Sequence, residues 1–499
     1  MRDYDEIIAF LGEWGPFQKI VFCLLSLSVL PNGFCGLSIV FVGDIPEHRC
    51  LVPGNLNLSE AWRNRTIPLV QEGDKLQYSK CRRYRVDVIM NLSETFPDPD
   101  SFNMSEVEQE PCLDGWEYSK DQYISTIVTE WDLVCNNDWK GPFVASVFFV
   151  GVLVGSFISG QLSDRFGRKA IMFGTMAVQT VFSVLQVFSP NWEIFCILNF
   201  LVGLGQISNM VAAFVLGSEL LGKSVRVLYG SLGICIPYAL GYMMLPLLAY
   251  FLRSWKMLLF ALSLAGLLYV PLWWFIPESP RWLLTKGRAQ EAEAIFRHIA
   301  KRNGVTPPEV LFNDLELEDM KAKRKQSYSI IHLFKTHNMR AITIISFLVW
   351  MILTTEYFGL SLNTANLHGD DYLNCFFAGA VEVPAYVAAW LFLWKFPRRL
   401  SLSGSLFLGG LALFFIQLIP SSVHHEFLPY NLMGIFTILS AILVLFLPET
   451  LNAPLPDTLG QMQKIKWFKC RNTPRNNDCF YQTGTFEENN MVVSKKEDI

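Results

Sequence analysis

The apolar positions of this chain gather into ten runs, at residues 20–41, 143–158, 171–188, 194–216, 228–251, 257–276, 341–362, 372–396, 402–419 and 428–447. They are too long for strands, and each approaches the roughly 20 residues that an α-helix needs to cross a hydrocarbon core about 30 Å thick. The pattern therefore predicts ten membrane-spanning helices, six in a first half (20–276) and four in a second (341–447). Between the halves, residues 277–340 are charged, with an amphipathic run at 289–300 and a basic cluster at 321–325, and read as a cytosolic linker with short helices. Residues 1–19 carry mixed acidic and aromatic positions and read as a cytosolic lead-in to a signal-anchor first helix. Residues 448–499 read as a polar cytosolic tail.

The polar residues sort by side of the membrane. Arg165, Arg168, Lys169, Lys223, Arg226, Lys395, Arg398 and Arg399 collect in the connections that the positive-inside rule assigns to the cytosol, whereas the link 189–193 has neither Lys nor Arg. Arg253 and Lys256 run against the rule. The long hydrophilic stretch 43–140 holds every N-x-S/T sequon of the chain, at Asn57, Asn64, Asn91 and Asn103, together with Cys50, Cys81, Cys112 and Cys135. Glycosylation acceptors and an even set of loop cysteines both belong to an oxidising compartment, which puts this loop outside and both chain ends inside. Four cysteines allow three pairings, all open at this stage. The other seven are expected as free thiols.

Composition narrows the class. A hydrophobic content of 51% and a mean hydropathy of +0.29 are too high for soluble domains of this length. A net charge of −4 adds little. No Ser/His/Asp or metal-ligand cluster argues for an enzyme, and nothing points to a nucleic-acid partner. The fold class is an all-α membrane protein, a bundle of two halves with six spans and four.

Several residues carry candidate chemistry. The turn Gly160-Gln-Leu-Ser-Asp164-Arg165-Phe-Gly167-Arg168-Lys169 puts fixed charge between two spans. Gly160 and Gly167 would permit close approach and tight turning, and Asp164 could pair with an Arg as a conformational latch, with Glu219 and Arg226 of the next inside loop as partners. The alternative is a solvated basic turn. Gly217-Ser-Glu-Leu-Leu-Gly222-Lys223-Ser224 matches the P-loop pattern letter for letter, but it follows a membrane helix where a strand is required. Asn32, beside Pro31 and Gly33, and Gln206 and Asn209 are amides inside spans: either interhelical hydrogen-bond glue or oxygen ligands for a coupling ion. Glu382 is an intramembrane carboxylate and so a functional candidate. Tyr238, Tyr242, Trp350, Tyr357 and Phe358 could surround a quaternary ammonium by cation–π attraction, or pack as core.

Two short stretches echo each other: Phe275-Ile-Pro277-Glu278-Ser279 closes the sixth span and Phe446-Leu-Pro448-Glu449-Thr450 closes the tenth. Transporters built from repeated halves bind substrate between them at the midplane. If the echo marks equivalent half-ends, the second half lacks two helices, and residues 421–427 are the expected place.

The turn at Gly160–Lys169 resembles the signature loop of the major facilitator superfamily. Thr126-Ile-Val-Thr-Glu130-Trp131-Asp-Leu-Val-Cys135 and Pro277-Glu-Ser-Pro-Arg-Trp-Leu283 resemble solute carrier family 22. Met1-Arg-Asp-Tyr-Asp-Glu6, Phe10-Leu-Gly-Glu-Trp-Gly-Pro-Phe17, Asn366-Leu-His-Gly-Asp370 and Leu455-Pro-Asp-Thr458 resemble its organic cation/carnitine branch. The resemblance implies a plasma-membrane transporter of organic cations and zwitterions, carnitine included, working by alternating access with sodium as coupling ion through polar groups on helices one and four. It also implies that helices ten and eleven of the family are missing here, together with an Arg on helix eleven that would meet a substrate carboxylate. Met210 stands where the family suggests Tyr. The chain ends Glu497-Asp-Ile499, unlike the PDZ ligand of family members, so no scaffold partner is implied. The competing expectations are a shortened product that does not transport, and a nucleotide-modulated membrane protein using Lys223 and Ser224.

Overall fold

The computed structural model describes residues 9–450 apart from 13, 55, 57, 73–74, 97, 309–310, 313–333, 335, 367–368 and 417–426. The first half contains α1 (Pro16–Leu37, continued as Ile39–Val42), α2 (Lys140–Phe166), α3 (Arg168–Val187), α4 (Trp192–Leu220), α5 (Cys235–Phe251) and α6 (Trp255–Leu267). The second contains α7 (His337–Leu362), α8 (Asp371–Lys395), α9 (Arg398–Ile416) and α10 (Phe427–Val444). Eight described helices are long and apolar enough to cross a membrane; α9 and α10 fall short of that measure and pack against each other. The expected 402–419 span begins earlier, at Arg398. The gap expected at 421–427 lies almost wholly outside the described residues, and so do the basic cluster 321–325 and the tail beyond 450.

Pro31-Asn32-Gly33 does not break α1. The helix continues through it because the triplet is a helix–helix contact: a Cβ on Gly33 would lie 2.1 Å from the Tyr238 carbonyl oxygen, and one on Gly241 would lie 2.3 Å from that of Leu30. Small residues at such a crossing let α1 and α5 approach backbone to backbone. α5 is entered through a short helix, Lys223–Leu228, and one π-turn, Tyr229–Gly233. α6 stops at Leu267, four residues before Pro271, and resumes as Leu272–Phe275. The linker run becomes two helices, Pro280–Thr285 and Ala289–Asn303. The second ends at Gly304, whose positive φ of 70° suits glycine.

The stretch expected to be extracellular is a small folded unit and adds strands to an otherwise helical chain. Three antiparallel pairs join His48–Cys50 to Trp116–Tyr118, Leu69–Glu72 to Lys75–Tyr78, and Arg82–Tyr84 to Gln109–Pro111. Of the three possible pairings, Cys50–Cys112 and Cys81–Cys135 form. Trp62, Ile89, Met104 and Val107 make its core. Asn64, Asn91 and Asn103 are exposed on it, and Asn57 lies outside the described residues. Among the described residues, Cys23, Cys35, Cys196, Cys235 and Cys375 are free thiols, as expected.

Candidate functional site

The turn after α2 is tighter than its sequence suggests. α2 runs through Gly160 to Phe166, α3 starts at Arg168, and only Gly167, at φ 113°, makes the corner. Gly160 is helical with open space where a Cβ would go, so it serves no close approach. A Cβ on Gly167 would meet the Glu278 carboxylate at 2.4 Å. Glu278 Oε1 accepts the backbone N–H groups of Arg168 (3.0 Å), Lys169 (3.1 Å) and Ser279 (2.9 Å), a carboxylate seated on the first turn of α3. The Arg168 guanidinium meets Glu219 at 3.3 Å and Asp164 at 2.5 Å. Glu219 also accepts the Ser279 hydroxyl, and Trp282 Nε1 donates to the Asp164 carbonyl oxygen. This charge network thus joins α2, α3, α4 and the Pro277–Trp282 segment. Lys169 sits over the Trp273 ring at 4.6 Å. Arg165 is exposed and lies beside Phe166, away from the latch. Arg226 Nε donates to the Ser218 carbonyl, which steadies the end of α4.

The second half repeats the seat. Glu449 accepts the backbone N–H groups of Arg398 (Oε1, 3.1 Å), Arg399 (Oε2, 3.1 Å) and Thr450 (Oε1, 2.9 Å). The echoed Pro-Glu-Ser and Pro-Glu-Thr stretches are therefore equivalent in structure. The repeat was visible in the sequence, but its role as a helix N-terminal seat was not.

Gly217-Ser-Glu-Leu-Leu-Gly-Lys-Ser cannot cradle phosphate as a P-loop does. Its first four residues are the last turn of α4 and Glu219 is engaged by Arg168, so Gly217, Gly222, Lys223 and Ser224 lack the strand–loop–helix context.

Within the bundle, Asn32 of α1 meets Gln206 of α4, and Asn209 lies one turn along α4 from Gln206; their exposures are 0%, 8% and 1%. Gln206 Nε2 donates to the Asn32 carbonyl oxygen at 2.8 Å. The side-chain amides of Asn32 and Asn209 have no hydrogen-bond partner at either end. Glue alone would satisfy them, because an unpaired buried polar group costs about 1–3 kcal/mol. Tyr238 lies close by: a Cβ on Gly36 would sit 2.7 Å from Gln206 Nε2 and 3.4 Å from the Tyr238 hydroxyl.

Across from them, Glu382 of α8 accepts hydrogen bonds from Tyr357 of α7 (2.9 Å) and Tyr386 of α8 (2.9 Å). Tyr238 of α5 faces Tyr357 and the Glu382 carboxylate from the first half. Sequence reasoning missed Tyr386, although the i,i+4 spacing from Glu382 puts both on one helix face. Not every aromatic candidate joins the group. Tyr242 is fully buried in the α1–α5–α8 packing. Phe358 packs edge-on against Phe149 of α2 at 4.6 Å and is a contact between halves. Trp350, two turns before Tyr357, is 67% exposed and contributes no enclosure. Glu356 accepts from Thr437 of α10 at 2.9 Å, away from Glu382.

Residues 118–456 match the family described as Sugar (and other) transporter. The chain is 52% identical to the organic cation/carnitine transporter 2 of Homo sapiens over 537 aligned positions, covering 95% of this chain and 96% of the relative. It is 48% identical to solute carrier family 22 member 4 of Mus musculus, covering 94% and 96%. A solved double-Trp mutant of the xylose transporter XylE from E. coli superposes with a TM-score of 0.50 at 15% identity, covering 86% of this chain and 80% of that one, a likeness of fold only. The 537 aligned positions exceed the 499 residues available, so the human relative carries internal residues that have no counterpart here.

Proposed function

The chain belongs to the organic cation/carnitine branch of solute carrier family 22, a multi-pass membrane transporter family within the major facilitator superfamily, and from that premise we propose that it carries organic cations and zwitterions across the plasma membrane by alternating access. The observation that carries this reading is Glu382. A carboxylate inside a membrane span is expensive unless something compensates it, and this one is held between two tyrosine hydroxyls, with Tyr238 opposite. A quaternary ammonium has no hydrogen to donate, so it is recognised by charge and by ring faces, and this group offers both. The resemblance narrows the cargo to carnitine-like compounds.

Sodium coupling rests on Asn32 and Asn209. Two buried side-chain oxygens without partners, beside Gln206, suit a hard monovalent cation, and a cation held there would bias α1, which packs against α5, the helix that carries Tyr238.

A second reading has its own observation: the second half holds four described helices, and the human relative aligns over more positions than this chain contains. On that reading the product inserts and traffics without transporting. Uptake of labelled carnitine and of tetraethylammonium, with and without sodium, in cells whose surface chain is confirmed by biotinylation, separates the two. Transport predicts uptake that Glu382→Gln lowers about ten- to a hundredfold, the 1.5–3 kcal/mol of a contact to a charged group, and carnitine uptake that Asn209→Ala makes indifferent to sodium. Surface display with no uptake of either compound refutes it.

A further inference from the structure

The two halves meet at the extracellular end around one ring. Tyr372, in the first turn of α8, stacks on Phe41 at the end of α1 (5.4 Å between centroids, 10° between planes). It meets Tyr250 of α5 edge-on (5.6 Å, 89°) and Tyr123 of the extracellular unit at 6.3 Å. Its hydroxyl donates to the Gln122 carbonyl at 3.4 Å, and Gln122 Nε2 donates to Asp371 at 2.6 Å. The three surrounding rings all belong to the first half. Phe41 and Tyr250 end α1 and α5. The Tyr123 segment is tied to the start of α6 by a Ser125–Ser254 hydroxyl contact at 2.9 Å, by Trp255 N–H on the Ser125 carbonyl at 3.1 Å, and by a Lys256–Glu130 pair at 2.7 Å.

When the halves part at this end, Tyr372 leaves with α8 and the cage of Phe41, Tyr123 and Tyr250 stays behind. The centre that Tyr372 vacates lies about 6 Å from three ring centroids, the reach of a cation–π contact. The charges facing Tyr372 are Asp44, Asp370 and Asp371, against the single guanidinium of Arg253, which itself donates to the Asp121 carbonyl. Tyr250 is 58% exposed, so the cage has an open side.

We propose that Phe41, Tyr123 and Tyr250 form an outer binding site for quaternary ammonium ions, for which Tyr372 is the built-in competitor in the closed state. An arriving cation takes the place of the Tyr372 ring, and its affinity for the vacated cage is spent on holding the extracellular end open. The site is distinct from the Glu382 group and takes its ligand class from the cation-transport reading above, on which it rests.

The test uses the full glycosylated chain in nanodiscs, with a fluorophore attached through Lys120→Cys beside the cage, titrated with tetraethylammonium alone. Tyr250→Leu, which keeps bulk but removes a π-face, weakens half-saturation about two- to thirtyfold, the range of one cation–π contact. Tyr250→Phe leaves it near the parent value and so checks the fold. Tyr372→Leu shifts the titration the other way, to tighter binding, because the competing ring is gone; a merely structural role for these rings gives both variants the same sign. Glu382→Gln leaves this titration in place while lowering uptake, which separates failure of this site from failure of the central reading. The proposal is overturned if Tyr372→Leu weakens binding as Tyr250→Leu does, if Glu382→Gln abolishes the signal, or if the parent chain gives no titration.

Discussion

Replacing Glu219 by Gln tests which acidic partner holds Arg168. Arg168 and Glu219 keep side-chain exposures of 13% and 12%, whereas Asp164, although nearer to Arg168, is 72% exposed. At 3.3 Å and an effective dielectric of about 20 the Arg168–Glu219 attraction is about 5 kcal/mol. Desolvation offsets much of that, but removing Glu219 leaves the partly buried Arg168 to the water-screened Asp164, a loss of about 3 kcal/mol at most. Glu219→Gln also weakens the acceptor for the Ser279 hydroxyl. The Asp164 contact is screened by water, so Asp164→Asn costs about 0.5 kcal/mol. Unfolding of the detergent-solubilised chain, by heat or by denaturing surfactant, should therefore rank Glu219→Gln well above Asp164→Asn. The double variant Arg168→Met with Glu219→Leu should lose at least 1 kcal/mol less than the sum of the singles. Equal losses at Asp164 and Glu219, or strict additivity in the double variant, would refute the assignment.

The remaining expectations concern other parts of the chain. Cys81→Ser opens a cross-link across 54 residues and should cost the extracellular unit about 4 kcal/mol, read as lost surface delivery and gained sensitivity to external protease. The Asp44 carboxyl is raised above its ordinary 3.8, first by burial and also by the facing Asp371, against the opposing hydrogen bonds from Tyr123 and the Ile45 N–H. An acid with a raised value in the closed state binds its proton more tightly there. Acidification through that raised value therefore stabilises the closed extracellular junction, and the effect fades above it. Labelling of Phe41→Cys, at a position 2% exposed in the closed junction, by an impermeant thiol reagent should slow more steeply than that of an exposed Lys120→Cys as external pH falls, and Asp44→Asn should remove the difference. Lys223→Ala should leave photolabelling by azido-ATP unchanged, since the turn has no phosphate-binding geometry.

The helical bundle was legible because spans are written as uninterrupted apolar runs. The latch was half legible. Arg168 and Glu219 stood out as charges near membrane ends, but the seat that Glu278 provides depends on a chain return across 110 positions, which no local pattern encodes. Asn32, Gln206 and Asn209 were found because amides are rare in spans. Trp350 and Phe358 were misplaced for the opposite reason: aromatic residues are common in spans, and type alone does not say which face of α7 looks inward. The strand pairs of the extracellular unit escaped because each is three or four residues long, too short for period-two alternation to register.

The two glutamate seats bear on how a second half with fewer helices holds together. Glu278 reaches α3 from beyond α6, with α4, α5 and α6 in between; Glu449 reaches α9 from beyond α10 alone. Each half thus brings its last helix back to the turn between its second and third, however many helices intervene. An antiparallel pair can be absent without moving the C-terminal end of α10 from the start of α9. Among the described residues, the rings of the junction at Tyr372 likewise come from α1, α5, α8 and the outer unit. What a shorter second half lacks is wall rather than closure. If the seats are independent, Glu278→Gln and Glu449→Gln should each cost about 1–2 kcal/mol, for loss of charge at a helix N-terminus. Combined, they should add within about 0.5 kcal/mol, as sites without shared partners do. A Glu449→Gln variant as stable as the parent would mean that the seat does not hold the second half together, and that α9 and α10 stay joined by their apolar packing alone.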